Sequence, residues 1–277
     1  MKNKQDKKPK SIITIALILL FLCAASAFYF KEEFNQIIQS TEIVLDWHQE
    51  KEYKEVKKLT KNAKTDTSSL KQLIRLAGSN NPFAQVGLGL IYAKGLGGLP
   101  KDEKIARELY EKSAAQGNQY GQYNLGVMYR SGQGGLPKDL WKARELYEKS
   151  VAQGNSFAQN SLGVMYRYGE GGLPKDEKKA VELYEKSAAQ GDSSAQNNLG
   201  IMYQNGEGGL PKDLWKAREL YEKSAIQGNS FAQNNLGFMY ENGEGGLPKD
   251  KREARELYEK SAAQGNETSI DNLKRLR

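Results

Sequence analysis

Apolar side chains divide this chain into two kinds of segment. Residues 11–30, SIITIALILLFLCAASAFYF, form one unbroken run without a charge. At about 1.5 Å per residue, a helix of that length reaches roughly 30 Å, the thickness of a hydrocarbon core. Further along, apolar residues come in short helical periods. In the segment 227–263, QGNSFAQNNLGFMYENGEGGLPKDKREARELYEKSAA, residues Phe231, Ala232, Leu236, Met239 and Tyr240 fall at helical spacings. From Asp250 to Ala263 the composition is that of a strong helix former. Ala254, Tyr258 and Ala262 recur every fourth residue there, with Leu257 beside them. The pattern predicts two helices, A and B, and no strand.

The unit recurs. Pro100, Pro137, Pro174, Pro211 and Pro248 are each 37 residues apart, a period that implies stacked supersecondary units. Each proline sits in a glycine-rich turn, GEGGLPKD at 169–176, 206–213 and 243–250, with close copies at 95–102 and 132–139. The chemistry of that turn is punctuation. Gly243 can take the positive φ that ends a helix. Pro248 cannot continue one, and Asp250 is a good N-cap, with Glu253 three residues on completing a capping-box pattern. Gln227-Gly228-Asn229 makes the shorter second turn. A phosphate loop would need Gly-Lys-Ser/Thr, or GxGxxG, after a strand, and these turns offer neither.

MKNKQDKKPK precedes the apolar run and carries five Lys against one Asp, +4. A basic flank stays in the cytoplasm, so the rest of the chain is expected across the membrane. Two readings of 11–30 stand side by side. One is an uncleaved signal anchor, favoured by the continuation through Phe28, Tyr29 and Phe30. The other is a signal peptide cleaved after Ala27. Cys23, the single cysteine, lies in this run, so no intramolecular disulfide forms.

The residues Ala195, Leu199, Gly200, Met202 and Tyr203, then Gly206, Gly208 and Asp213, then Ala217, Leu220, Tyr221, Lys223, Ala225 and Gly228 resemble the Sel-one-like repeat family, a relative of the tetratricopeptide repeat. The pattern recurs five times over 82–265. The resemblance implies an all-α, right-handed α/α superhelical solenoid, helix A inside and helix B outside. It also implies an adaptor or scaffold for protein complexes, as found at bacterial envelopes or in secreted and host-interacting roles.

The expected organisation is a basic tail (1–10), a transmembrane segment (11–30), a helical stalk or N-terminal cap (31–64), the solenoid (65–265) and a capping helix (266–277). Upstream, 68–79 reads as a degenerate helix B, with Leu73 and Ala77 at the places of Tyr110 and Ala114. At the far end Asn272 and Leu273 match Asn235 and Leu236, but Lys274 stands where a glycine should follow.

Charge and chemistry narrow the function. The formal net charge is +7, yet residues 82–263 hold 24 basic and 23 acidic side chains, +1. No basic stripe for nucleic acid is visible in the sequence. His48 is the single histidine, and zinc sites need several His or Cys ligands. No catalytic, cofactor or metal site is expected. The sequence reads as a non-catalytic scaffold of the bacterial inner membrane, single-pass, with its C-terminal domain in the periplasm and a protein or peptide partner. The alternatives are an exported glycan or peptide receptor or enzyme, and a secreted host-interaction factor.

Internal comparison of the copies suggests where a partner sits. Gln85, Gln122, Gln159, Gln196 and Gln233 never vary and are read as structural polars bonded to backbone. Two rows on helix A do vary. The first is Val86, Tyr123, Asn160, Asn197, Asn234. The second, seven residues on, is Ala93, Arg130, Arg167, Gln204, Glu241, with Tyr168 beside it. Trp141 and Trp215 on helix B replace charged residues of the other copies. They either form a lateral patch or cover the neighbouring turn.

Overall fold

The computed structural model describes residues 50–276. The expected membrane segment 11–30, Cys23, the Ala27 cleavage site, His48 and most of the 31–64 stalk lie outside the described residues. Among the described residues no helix is long and apolar enough to cross a membrane. The chain divides into two compact units after Glu55. Of the first, residues 50–55 are described, and they are helical.

The second unit, from Val56, is all helix among the described residues. Helical residues 56–62 lead to α1 (Thr67–Gly78). Five A–B pairs follow: α2 (Pro82–Lys94) with α3 (Glu103–Ala115), α4 (Gln119–Ser131) with α5 (Leu140–Val151), α6 (Ser156–Tyr168) with α7 (Glu177–Ala189), α8 (Ser193–Asn205) with α9 (Leu214–Ile226), and α10 (Ser230–Asn242) with α11 (Lys251–Ala262). A last helix, α12 (Glu267–Arg275), takes the place of a sixth helix A. α1 occupies the place of a helix B: Leu73 and Ala77 are buried there.

The turn residues place these boundaries. Gly243 is left-handed, φ 73°, and its N–H returns to the Met239 carbonyl. Asp250 caps α11, its Oδ1 accepting from Arg252 N (2.8 Å) and Glu253 N (3.1 Å). The reciprocal arm of the capping box is not used. The Asp250 N–H donates instead to the Tyr240 carbonyl at 2.9 Å, which ties the start of helix B to the end of helix A.

Within each pair, one contact sets the packing. The tyrosine of helix B lies on the glycine of helix A. A Cβ on Gly163 would meet Tyr184 Cε1 at 2.7 Å, and one on Gly200 would meet Tyr221 Cε1 at 2.6 Å. Tyr147, Tyr184, Tyr221 and Tyr258 are fully buried. At roughly 150 Å² or more of mostly apolar surface, each removes on the order of 4 kcal/mol of hydration cost. One turn on, buried serines fix the helix register: Ser187 Oγ donates to the Ser156 carbonyl at 2.8 Å, and Ser113, Ser150, Ser224 and Ser261 do the same in their own pairs.

The invariant glutamines are structural, with a different principal partner from the one expected. Gln85 accepts from the side chain of Gln116 at 2.8 Å, and the bond repeats in every pair through to Gln264 and Gln233 at 2.9 Å. Backbone bonds are secondary, such as Gln233 to the Ala225 carbonyl at 3.4 Å. In α12 the glycine of helix A is replaced by Lys274, so a side chain stands where a tyrosine would need bare backbone.

Gly163→Ala is expected to cost about 1–3 kcal/mol, because the buried ring cannot withdraw. Gly78→Ala, with nothing within 4 Å of the added methyl, should leave stability unchanged or raise it. Urea midpoints of the two variants check this; equal midpoints would contradict it.

Candidate functional site

The two varied rows of helix A are largely engaged by neighbouring parts of the array itself. Asn198 Nδ2 donates to Asn160 Oδ1 at 2.9 Å, Asn235 to Asn197 at 3.0 Å, and Asn272 to Asn234 at 3.0 Å. The first row is therefore a ladder that joins each helix A to the next. Asn197 is buried; Asn160 and Asn234 are half-buried. Tyr123 continues the ladder in apolar form. Its ring centroid lies 5.6 Å from Phe157 in the next helix A and 5.9 Å from Tyr147 in its own pair.

The second row is tied by charge. Arg130 reaches Glu170 at 3.2 Å and Arg167 reaches Glu207 at 2.8 Å, each glutamate belonging to the turn of the following repeat. Gln204 accepts from the Tyr221 hydroxyl at 2.6 Å. Glu241 is buried and accepts from Tyr258 (2.9 Å) and twice from Arg275 (2.5 and 2.7 Å). Partly exposed pairs contribute little singly, whereas breaking a buried one strands a charge. Tyr168 alone in this group is open, 63% exposed, with the Arg167 guanidinium 5.6 Å from its ring centre.

Between the two rows runs a third that the sequence reading passed over. Leu90, Val127, Val164 and Ile201 are half-buried, and Phe238 is exposed. They lie four residues after the first row and three before the second, so all share one helix face. At the head of that face Phe157 and Phe231 are exposed. The signal was present: this position is apolar in every copy.

On helix B, Trp141 and Trp215 remain 64% and 61% exposed. Each also covers the turn of the next repeat. A Cβ on Gly172 or Gly246 would collide with the indole above it. Arg144 and Arg218 stack on these indoles, 5.8 and 4.8 Å from the ring centres, and donate to the Gly171 and Gly245 carbonyls. The two readings of these residues thus hold together: they cover a turn and still present a face.

Burial pushes the hydroxyls of Tyr147, Tyr184, Tyr221 and Tyr258 above the usual phenol range, so they stay protonated donors. Among the described residues no group of His, Cys, Asp or Glu is placed to hold a metal ion.

Five consecutive segments match a family model described as the Sel1 repeat, over residues 82–118, 119–155, 156–192, 193–229 and 230–266. Each holds one A–B pair. Among solved structures, a Sel1 repeat protein from Oxalobacter formigenes is 33% identical, with a TM-score of 0.61 over 74% of this chain and 80% of that one. A protective antigen present in uropathogenic Escherichia coli strains, displaying an SLR fold, is 31% identical, with a TM-score of 0.57 over 84% of this chain. This chain spans 50% of the antigen's length. A Klebsiella pneumoniae Sel1 repeat protein, 24% identical with a TM-score of 0.51, covers 74% of this chain and 97% of its own and shares the fold. No curated protein matches.

Glu241 gives the site a pH dependence. Burial pushes its carboxyl up, but the bonds from Arg275 and Tyr258 and the Arg275 charge outweigh this, leaving it below its reference 4.5. A carboxylate held below its unfolded value stabilises the fold above that value and loses the effect as pH falls through the lowered one. Amide protection of α12 is therefore expected to hold above pH 4.5 and fall as pH drops below it. In Glu241→Gln it should be weak and flat throughout. An α12 that stays equally protected in acid would contradict this.

Proposed function

This chain belongs to the Sel1 repeat family, and from that premise we propose that it is a non-catalytic scaffold of the bacterial envelope that holds a protein or peptide along its helix A face. Sel1 repeat proteins generally serve as protein–protein interaction scaffolds. One observation carries the assignment to this face. A half-exposed apolar row, Leu90 to Phe238, runs through all five repeats with a hydrogen-bonded ladder on one side and charged ties on the other. Such a face takes up apolar side chains of an extended chain while its own polar groups stay satisfied. In this reading helix A lines the inner side of a right-handed superhelix. Tyr168 and the solvent-facing edges of Tyr123, Asn160, Asn234, Arg130, Arg167 and Gln204 form the rim. An exported glycan receptor fits less well, because the amide oxygens of Asn160, Asn197 and Asn234 are already engaged in the ladder.

The anchor reading of 11–30 sets the address. The basic residues before the run favour an amino terminus in the cytoplasm and repeats in the periplasm. Intact Met1 or Lys2 on the mature protein would support the anchor. A mature chain beginning at Phe28 would sink it and favour secretion.

The scaffold reading is tested with the full chain solubilised from envelopes. Phe231→Ser with Phe238→Ser removes two exposed rings, and an unchanged circular dichroism spectrum will show that the fold survives. A protein retained by the parent should be lost by this variant. Equal retention would remove the helix A face from the account.

A further inference from the structure

The near-neutral sum of charges conceals a separation visible only in the fold. At the edge of the array built from the long turns, most of the acidic groups are engaged. Asp102, Asp139, Asp176, Asp213 and Asp250 are half-buried and spend their carboxylates on helix amides. Glu170 and Glu207 are held by Arg130 and Arg167. Glu103 and Glu177 take Lys101 and Lys175, both at 2.7 Å. The lysines of the same edge point to solvent. Lys104, Lys138, Lys178, Lys212 and Lys249 are exposed and form no ion pair among the described residues.

One position on this edge organises the others. It is the second residue after each Asp cap, and it reads Lys104, Trp141, Lys178, Trp215, Arg252 through the repeats. The first four of these lie against the second turn glycine of the next repeat, at Gly135, Gly172, Gly209 and Gly246. Where the residue is Trp, the indole fills the notch and shows an open face. Where it is Lys104, the notch stays open, with about 470 Å³ lined by Lys101, Asp102, Glu103, Lys104, Gly134 and Gly135. Cation and indole therefore alternate along one line.

We propose that this row docks an extended acidic segment of the partner protein, its carboxylates on Lys104 and Lys178 and its apolar side chains on Trp141 and Trp215. The inference rests on the scaffold reading and adds a second surface to it. A dense polyanion is the poorer fit. Its attraction grows with summed charge, and residues 82–263 sum only to +1, from 24 basic and 23 acidic side chains. Attraction here is of contact range, lysine by lysine, with indole burial between. Lysine also suits carboxylates met at variable geometry, being a point charge on a flexible stem.

The test uses the full chain in non-ionic detergent micelles and a fluorescent random copolymer of Glu and Tyr, read by anisotropy. Trp141→Ala with Trp215→Ala, and separately Lys104→Glu with Lys178→Glu, should each weaken binding at least about tenfold. Both pairs are exposed, and unchanged melting will show that the fold survives. Phe231→Ser with Phe238→Ser should bind the copolymer as the parent does. Polyglutamate without Tyr should bind more weakly than the copolymer. Row variants that bind as tightly as the parent would overturn the inference, as would polyphosphate or phosphatidylglycerol micelles outcompeting the copolymer. If the natural partner is lost only with the helix A variant while the copolymer ignores the row, this surface falls and the scaffold reading stands.

Discussion

A tyrosine on bare glycine backbone is the contact on which the rest of this array depends. It fixes how closely helix B approaches helix A, and so where every other side chain of the pair points. With Tyr184 seated on Gly163, Ser187 falls within reach of the Ser156 carbonyl, and Gln190 within reach of Gln159 at 2.8 Å. The same geometry repeats in each pair because the same residues repeat. Dispersion and burial supply the energy. The serine and glutamine bonds then select one register among those that burial alone would allow.

Contacts between pairs add something to this. The apolar core runs on from pair to pair, Ala143 and Tyr147 of one sharing a buried cluster with Leu162 and Met165 of the next, and the ties added to it vary from copy to copy: asparagine to asparagine, arginine to glutamate, indole on glycine. Stability in a repeat array is approximately a sum of unit terms and neighbour terms. Here the unit term is almost constant and the neighbour term is the adjustable one. The end of the array uses that freedom most. At α12, where exposed Lys274 replaces the glycine, the cap is held by Arg275 on buried Glu241 and by Ser269 on Asn234 at 2.9 Å.

Much of this was legible in the sequence, and the failures are instructive. The period, the helix boundaries and the aspartate caps follow from glycine and proline chemistry, which acts over a few residues. The Asn ladder does not. Its partners are 38 positions apart, and neither residue alone says that it is paired. Variation between copies was read as the mark of partner contact, yet Arg130 is bonded to Glu170 and Arg167 to Glu207, each partner 40 positions away. The charge count misled in the opposite direction. Caps and ion pairs hold carboxylates in place on one edge, while lysines of the same edge stand exposed beside them.

Packing thus engages the varied polar positions, and recognition is proposed for two surfaces, the apolar face of helix A and the lysine–indole row. Site-specific photo-crosslinking in cells tests that division directly. A benzophenone side chain would be placed at Phe238, at Trp141 and, for comparison, at exposed Glu108 on helix B. The account predicts adducts to a partner protein from Phe238 and Trp141 and none from Glu108. Adducts from Glu108 alone would contradict it.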